Sequence, residues 1–266
     1  MDILLHVVVA ALYVVAAWLC RPSRAGETPA PVRSVAIGVA LAVHAAVIAH
    51  AIVRPNGLDL SFVNALSLVA GLAVLVAWIS GALRILPGVA AMILPVAALC
   101  AALPSLARGP HLFAYADAPL AAAHISVALI AYALFVVAAM QAVVLTGVEK
   151  RLHRGAAPAA GEHAPPLLTL ERYLFRLIAI GFVLLTITLI SGFVFSEELF
   201  GKPVTLTHKN VFSVAGWLTF AALLVGRWRY GWRGRVALKW ILAGTVLLVL
   251  GYLGSKFVLE VLLHRG

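Results

Sequence analysis

Charged residues are scarce in this chain. Of its 266 residues, 64% are hydrophobic and 11% are charged. A soluble domain of this length exposes enough surface to need many more polar residues, so the composition excludes that class. The apolar residues fall in runs of roughly 17 to 25, a length that crosses the hydrocarbon core of a bilayer. We therefore expect an all-α, polytopic integral membrane protein in which residues 1–266 form a single membrane domain.

Cysteine is also scarce, and the common catalytic motifs are missing. Cys20 and Cys100 lie far apart in or near apolar runs and form neither C-x-x-C nor C-x-x-C-H. The chain is therefore not itself a c-type cytochrome, and its cysteines are expected to be small buried hydrophobic residues. It lacks G-x-S-x-G, H-E-x-x-H and a Walker loop, and it has only 10 acidic residues. These absences predict a protein that binds or carries a ligand and is not an enzyme.

Eight apolar spans can be drawn along the sequence. They lie at about residues 3–20, 34–53, 60–81, 86–106, 119–147, 173–195, 210–226 and 236–262. The first four fall within residues 1–118 and the last four within 119–266. No lysine or arginine precedes the first apolar run, so we expect an uncleaved span there and not a signal peptide. Residues 149–170 are polar and rich in proline and glycine, which predicts a flexible cytoplasmic linker.

Lysine and arginine are distributed unevenly between the two faces that these spans create. Fourteen lie in the loops after the first, third, fifth and seventh spans, and six lie on the opposite face. The positive-inside rule places the richer face in the cytoplasm, so both termini are expected on the outer, periplasmic side of a bacterial inner membrane. The net charge of +10 then reflects orientation and not nucleic-acid binding. Four aromatic residues near the inner basic residues are expected to form an interfacial belt: Trp228, Tyr230, Trp232 and Trp240.

Histidine is concentrated on the expected outer side. Of the nine histidines, His153 and His163 fall in the linker, and the other seven lie at the outer face or within spans. An imidazole inside a membrane either hydrogen-bonds between helices or serves as a ligand, for example to heme iron. Both interpretations remain open for four residues, His44, His124, His208 and His264. Three others are expected to be structural: His6, His50 and His111.

Short motifs follow one another in the second half of the chain. The fifth span opens with His124-Ile125-Ser126 and has Tyr132 eight residues after the histidine. The later motifs are Leu184-Leu185-Thr186 with Ser191-Gly192, Lys209 with Trp217, the R-x-x-x-G-W-x-G pattern of Arg227, Gly231, Trp232 and Gly234, and Tyr252-Leu253-Gly254. In these residues the chain resembles the membrane cytochrome c assembly family of the CcsA/CcmC/ResC type, most closely its YpjD-like branch.

The resemblance implies a function in cytochrome c assembly, in which heme is handled at the outer face of the membrane. It implies that His124 is a ligand to the iron of a b-type heme, and that the chain works with a periplasmic assembly partner as well as the lipid bilayer. His44, His208 and His264 are further candidates for binding heme, with His208 as a second iron ligand. Lys256 is the candidate cation for a heme propionate, and the alternative is an ion pair with Glu260 on the same helical face.

One family motif is missing from the chain. Heme-handling members carry W-G-x-x-W-x-W-D between the sixth and seventh spans, whereas this chain has Phe200 to Thr207 and keeps only Gly201. The loss predicts a reduced platform for presenting heme to an apocytochrome. His208 follows directly, and it either replaces the lost ligand or belongs to a helix cap in which Thr207 is the N-cap residue. Two alternative functions follow, an accessory membrane subunit without heme and a small-solute transporter.

Overall fold

A computed structural model describes residues 2–21, 28–54, 57–106, 112–113, 119–154, 167–194, 208–254 and 257. Their helices are α1 (Asp2–Leu19), α2 (Ala30–Ile52), α3 (Phe62–Ile79), α4 (Ala82–Ile85), α5 (Pro87–Ala102), α6 (Pro119–His153), α7 (Leu167–Val194), α8 (His208–Tyr230) and α9 (Gly234–Val249). A 3₁₀ turn (Leu103–Leu106) follows α5, and a π-helical turn (Leu250–Gly254) follows α9.

These helices confirm the prediction of an all-α, polytopic membrane protein. Seven of the described helices are long and apolar enough to cross a membrane: α2, α3, α5 with its 3₁₀ turn, α6, α7, α8, and α9 with its π-helical turn. The eighth expected span corresponds to α1, whose apolar part, Ile3–Leu19, is shorter than the others.

A small antiparallel sheet was not predicted from the sequence. Its strands are β1 (Val53–Arg54), β2 (Gly57–Asp59) and β3 (Leu112–Phe113), paired in that order. It joins the connection between α2 and α3 to the segment that precedes α6. Strands of two or three residues are too short to produce an alternating pattern, so the sequence gives no signal for them.

The segment between α6 and α7 is more helical than the sequence predicts. Residues 149–153 and 167–170 of the expected linker 149–170 belong to these two helices. The hydropathy of the sequence decreases at these two helix ends, where charged side chains begin. The helices continue nevertheless, because their ends still pack on other helices. Leu170 is buried in the core, and a Cβ added at Gly234 would lie 3.1 Å from a carboxylate oxygen of Glu149. Residues 155–166 lie outside the described part of the chain.

Helix α6 joins the two halves of the bundle. It packs against α3 and α5 of the first half and against α7 and α9 of the second. At its centre, the ring of Phe135 stacks on Phe220 of α8 with the ring centroids 3.9 Å apart. Glycines allow this close approach, since a Cβ added at Gly181 would lie 3.2 Å from Phe135 and one at Gly244 would lie 2.7 Å from Phe220. Small residues at helix contacts are typical of membrane bundles.

The turn between α8 and α9, which we call the basic turn (Arg227–Arg235), is built around Arg227. Its Nη1 donates a hydrogen bond to the carbonyl oxygen of Trp232 at 3.2 Å, and its Nη2 lies 3.5 Å from Oε2 of Glu171 on α7. Gly231 and Gly234 have φ values of 66° and 54°, a region that favours glycine. The R-x-x-x-G-W-x-G pattern therefore shapes this turn and attaches it to α7.

The four aromatic residues near this turn divide into two pairs. Trp228 and Tyr230 are 85% and 72% exposed, as expected of side chains at a membrane interface. Trp232 and Trp240 instead stack on each other with centroids 5.2 Å apart, and Trp232 covers Gly226. The second pair therefore packs the turn, a role that the sequence did not reveal.

Candidate functional site

His124 lies in the first turns of α6, at the end of the bundle opposite to the basic turn. Lys150 follows it by 26 positions in the same helix. At 1.5 Å per residue, the two side chains are separated by about 39 Å along the helix axis. The imidazole is half-buried. It rests against Gly192 of α7, where an added Cβ would lie 3.3 Å from its Cε1 atom.

A serine on α7 fixes the orientation of the His124 ring. Nδ1 of His124 lies 2.8 Å from the Oγ atom of Ser191, and that hydroxyl donates to the carbonyl oxygen of Thr188 at 3.1 Å. Because a hydroxyl group has one proton, Ser191 accepts from His124 when it donates to Thr188, and the imidazole proton is then on Nδ1. Nε2 is then the unprotonated nitrogen, the form that coordinates metal ions.

A cleft beside His124 is enclosed by α6, α7, the start of α8 and the π-helical turn. It encloses a volume of about 80 Å³, within about 670 Å³ of empty space that includes the opening to the outside. Most of its wall is aliphatic, with polar groups contributed by His124, Tyr132, Thr188, Lys209, Ser213 and Tyr252. An apolar cavity with a few convergent polar groups is the usual form of a small-molecule site. We call it the His124 cleft.

Four of these polar residues lie close together on one wall of the cleft. Tyr132 and Ser213 both line the cleft, and the Ser213 hydroxyl donates to the backbone carbonyl of Lys209 at 2.8 Å. The Lys209 ammonium lies 5.6 Å from the ring centroid of Tyr252, within the range of a cation–π interaction. The Lys209 charge also acts electrostatically on the His124 imidazole.

Two family-motif residues hold α7 against α8 below the cleft. Nε1 of Trp217 donates to the hydroxyl of Thr186 at 2.9 Å, and the indole stacks on Phe182 with centroids 5.5 Å apart. In turn, the Thr186 hydroxyl donates to the backbone carbonyl of Phe182. Trp217 and Thr186 therefore position the walls of the cleft without lining it.

Of the other predicted site residues, those that the structure describes, His44 and His208, do not line the cleft with His124. His208 is the exposed first residue of α8 and is not among the described residues that line the cleft, although its neighbour Lys209 is. Lys256, Glu260 and His264 lie outside the described residues, and so does His111. His50 is exposed on α2. Of the histidines proposed as heme-binding residues, the described part of the cleft contains His124 alone.

His44 occupies a separate, fully buried polar cluster in the first half of the bundle. The hydroxyl of Tyr13 lies 2.9 Å from its Nδ1 atom, and the hydroxyl of Ser67 lies 2.9 Å from its Nε2 atom. Both nitrogens are therefore engaged, so iron coordination would require one of these bonds to break. His6 is also buried, and its Nδ1 hydrogen-bonds to the carbonyl oxygen of Ala101 at 2.9 Å. The sequence named His44 as a possible cofactor ligand; its surroundings indicate hydrogen bonding between helices.

The structure also bears on the cysteines and on metal binding. Cys20 and Cys100 are free and buried, as predicted. No cluster of three or more histidine, cysteine or acidic side chains suited to a metal ion occurs among the described residues.

Sequence reasoning identified His124 and missed the residues that surround it. Ser191, Tyr132, Lys209 and Tyr252 were noted only as family-motif positions, and Ser213 was not singled out. These residues share only their position around His124 and its cleft in the folded chain. In the sequence they are spread over α6, α7, α8 and the π-helical turn. Lys209, a lysine at the start of an apolar helix, is a signal in the sequence that could have pointed toward this cleft.

Comparison with known proteins covers most of the chain. The family model described as cytochrome C assembly protein matches residues 35–263. The inner membrane protein YpjD of Escherichia coli K12 is 35% identical over 139 residues, which is 52% of each chain. An uncharacterized 28.8 kDa protein of Azospirillum brasilense is 32% identical over 140 residues, 53% of this chain and 52% of that one. The cytochrome c biogenesis protein CcsA of Gloeobacter violaceus is 35% identical over 98 residues, 37% of this chain and 29% of that one.

These alignments have a limited extent. The chain spans about half the length of the first curated relatives that it matches. No solved structure gives a significant match.

Proposed function

Since the chain belongs to the cytochrome c assembly protein family, we propose that it handles heme during that process and binds it in the His124 cleft at the outer face of a bacterial inner membrane. The observation that carries this proposal is the hydrogen bond of 2.8 Å between His124 and Ser191. It holds the imidazole on α6 with the proton on Nδ1, so that Nε2 is the nitrogen suited to iron.

The chemistry of the cleft fits a heme group. Heme is a flat apolar ring with an iron atom that takes axial nitrogen ligands and with two carboxylate side chains. The aliphatic wall and the rings of Tyr132 and Tyr252 would contact the apolar ring, and His124 would supply a nitrogen ligand to the iron. Lys209 supplies a positive charge for the carboxylate edge. The porphyrin ring of heme already binds the iron through four nitrogens, so one protein histidine would be enough to attach the heme to the chain.

In this proposal the chain carries heme and makes no covalent bond to it. His124 would hold the iron, and the walls of α6 and α7 would exclude water from the ring. Delivery to a cytochrome would then belong to a periplasmic partner, because the tryptophan motif that presents heme in other family members is replaced by Phe200 to Thr207. The chain acts as a binding protein and not as an enzyme.

The charge distribution supports the outer location. Lys150 and Arg151 lie at the far end of α6, and the basic turn lies at the same end of the bundle. The positive-inside rule then assigns that end to the cytoplasm and the His124 cleft to the periplasmic side. The relative from Escherichia coli is named an inner membrane protein, which supports the choice of membrane.

A heme spectrum tests the proposal. The full chain is purified in mild detergent, loaded with heme if it is colourless, and examined by its reduced-minus-oxidised absorbance spectrum. We expect a stoichiometric b-type signal that is lost in His124→Ala and retained in His50→Ala. His50 is a suitable control because it is an exposed histidine in another span. A signal that survives in His124→Ala would show that iron is held elsewhere.

A second candidate function is an accessory membrane subunit that has kept the fold without heme. The missing tryptophan motif favours it over a small-solute transporter. A protein that stays colourless after loading would overturn heme handling and support this alternative, and solute uptake into vesicles would support the transporter.

A further inference from the structure

A second cleft lies at the end of the bundle opposite to His124, between the end of α6, the start of α7 and the start of α9. It encloses a volume of about 200 Å³, within about 710 Å³ of empty space that includes the opening to the outside. The proposed binding of heme does not involve this cleft. We call it the Glu149 cleft, after a carboxylate that lines it.

The lining of the Glu149 cleft changes from apolar to charged toward the ends of the helices. On α6 it runs from Ala142 past Glu149 to His153, about 16 Å along the helix axis at 1.5 Å per residue. The part farther from the helix ends is aliphatic or aromatic: Leu145, Leu174, Phe175, Ala237 and Leu238. Two leucines at the start of α7 also reach the rim.

The basic turn indicates the depth of this cleft in the membrane. Its side chains Trp228 and Tyr230 are exposed, which is typical of aromatic residues at the level of the lipid headgroups. Arg233 of the same turn lies at the mouth of the cleft. The cleft therefore passes from the hydrocarbon level to the headgroup level, and its polarity changes in the same order as that of a phospholipid molecule.

The mouth of the cleft carries charges of both signs. The half-buried Glu149 lies beside the start of α9, since a Cβ added at Gly234 would be 3.1 Å from its Oε2 atom. Arg233 is the exposed residue before Gly234. Both charged residues are described, and no ion pair or hydrogen bond joins their side chains. Glu171, which also lines the cleft, is paired with Arg227 instead.

These two charges call for different groups of one ligand. A partly desolvated carboxylate is stabilised by N–H donors, and an arginine guanidinium binds phosphate well. A headgroup with both a phosphate and an ammonium offers the two together, whereas a fatty acid or a free phosphate offers neither an ammonium nor the pair. The apolar wall next to these charges fits a hydrocarbon chain attached to the same molecule.

We propose that the Glu149 cleft binds a phospholipid whose headgroup carries a primary amine, taken from the leaflet on the side of the basic turn. The ammonium would donate to Glu149, the phosphate would accept from Arg233, and the first part of an acyl chain would cover the apolar wall. The enclosed volume is smaller than that of a site for a whole drug-sized ligand, so the rest of the lipid would stay in the bilayer. This site is independent of heme binding.

The number of N–H donors distinguishes the possible headgroups. A primary ammonium has three N–H donors, as a lysine side chain does, whereas the quaternary amine of choline has none. A glycerol headgroup has no positive charge, so it would place a phosphate near Glu149 without a cation between them. Phosphatidylethanolamine is therefore the expected ligand, and phosphatidylcholine and phosphatidylglycerol are the comparisons.

The test uses these three lipids with identical dioleoyl chains. The full chain is purified in mild detergent, freed of lipid and titrated with each of them, and complexes with one lipid are counted by native mass spectrometry. Glu149→Gln removes the negative charge at nearly the same shape, and Arg233→Gln removes the positive one. Lys150→Gln and Arg235→Gln are the matched controls, since both are exposed neighbours that do not line the cleft. Thermal unfolding midpoints establish that each variant is folded.

We expect the wild-type chain and both controls to bind phosphatidylethanolamine roughly tenfold or more tightly than the other two lipids, as for hydrogen bonds to a charged group. Glu149→Gln should bind the ethanolamine and choline lipids about equally. Arg233→Gln should bind all three roughly tenfold more weakly and keep their order.

Three results would overturn the proposal. The wild-type chain would bind none of the lipids, or it would bind the three equally, as expected of lipid that merely surrounds the bundle. It would prefer phosphatidylglycerol, as expected if the basic turn attracts any anionic headgroup. Glu149→Gln would keep the preference for ethanolamine, which would leave Glu149 with a role only at the start of α9. Heme binding at the other end of the bundle stands or fails separately in the spectral test of His124→Ala.

Discussion

The hydroxyl oxygen of Tyr13 lies 2.9 Å from Nδ1 of His44, and neither side chain is more than 2% exposed. With Ser67 on the other nitrogen, the hydrogen bonds connect α1, α2 and α3. A buried polar group that loses its partner stays unsatisfied in apolar surroundings, so these bonds favour one relative arrangement of the three helices. They give His44 a role in packing the first half of the bundle.

The close approach of Gly71 to this cluster predicts an unusual sensitivity to alanine. A Cβ added at Gly71 would lie 2.9 Å from Nδ1 and Cε1 of His44, so Gly71→Ala should displace the ring and its hydrogen bonds. We expect a loss of about 1–3 kcal/mol in the free energy of unfolding, measured by denaturant titration in detergent. Gly147→Ala is the control, because an added Cβ there meets nothing within 4 Å. Equal effects of the two substitutions would contradict the packing seen at Gly71.

Ser191 should matter for heme affinity although it would not touch the iron. Ser191→Ala removes the acceptor for His124 Nδ1–H and leaves the ring free to rotate and change tautomer. Loss of such a partner typically weakens metal binding roughly ten- to hundredfold. Titration with heme should show this loss, whereas Ser126→Ala should bind as the wild type does, because the exposed Ser126 hydroxyl donates to the carbonyl oxygen of Ala122 in its own helix. Unchanged affinity in Ser191→Ala would mean that the ring is positioned by packing alone.

Arg227 should not be replaceable by lysine. Its guanidinium contacts the Trp232 carbonyl, the Glu171 carboxylate and, at 4.6 Å, the ring of Phe175, and a lysine ammonium cannot make all three contacts from one position. Arg227→Lys should therefore reduce stability by about 1–3 kcal/mol. The thermal unfolding midpoint in detergent measures the change.

Arg229→Lys provides the comparison for Arg227, since Arg229 is an exposed arginine in the same turn. A similar midpoint for both variants would show that the basic turn tolerates either cation and that the three contacts are not needed together.

Membrane orientation can be measured with single cysteines. In a background where Cys20 and Cys100 are replaced by serine, His208→Cys and Arg229→Cys place one thiol at each end of α8, both at exposed positions. The positive-inside rule predicts that an impermeant maleimide labels His208→Cys on intact spheroplasts and labels Arg229→Cys only after lysis. The reverse pattern would move the His124 cleft to the cytoplasmic side.

Much of the fold was predictable because apolar runs directly determine where helices cross a bilayer. The ends of α6 and α7 could not be predicted in this way, because hydropathy indicates which residues contact lipid. Leu170 and Glu149 at these ends contact other parts of the protein instead. The short sheet beside α2 leaves no periodic signal. Helix α1 was predicted as a span, and its described apolar part is shorter than the others.

The candidate site was predictable only in part. His124 was identified through a family resemblance, and its environment depends on contacts between distant segments. Ser191 is 67 positions away, and Tyr252 belongs to the π-helical turn that follows the last long helix. Conversely, His44 was a candidate ligand because a histidine within a span is rare. Its hydrogen-bond partners Tyr13 and Ser67 lie on other helices, and nothing in the sequence indicated that they contact it.

Among the described residues that line the His124 cleft, Lys209 alone carries an ionised side chain at neutral pH apart from the histidine, and this has an evolutionary consequence. A lysine codon becomes a glutamate codon by one base change, so the sign of the charge at position 209 can be inverted in one mutational step. Related chains that carry an acidic or neutral residue there would line the same helices with a different charge. Comparing this position across genomes therefore offers a way to group family members before any of them is purified.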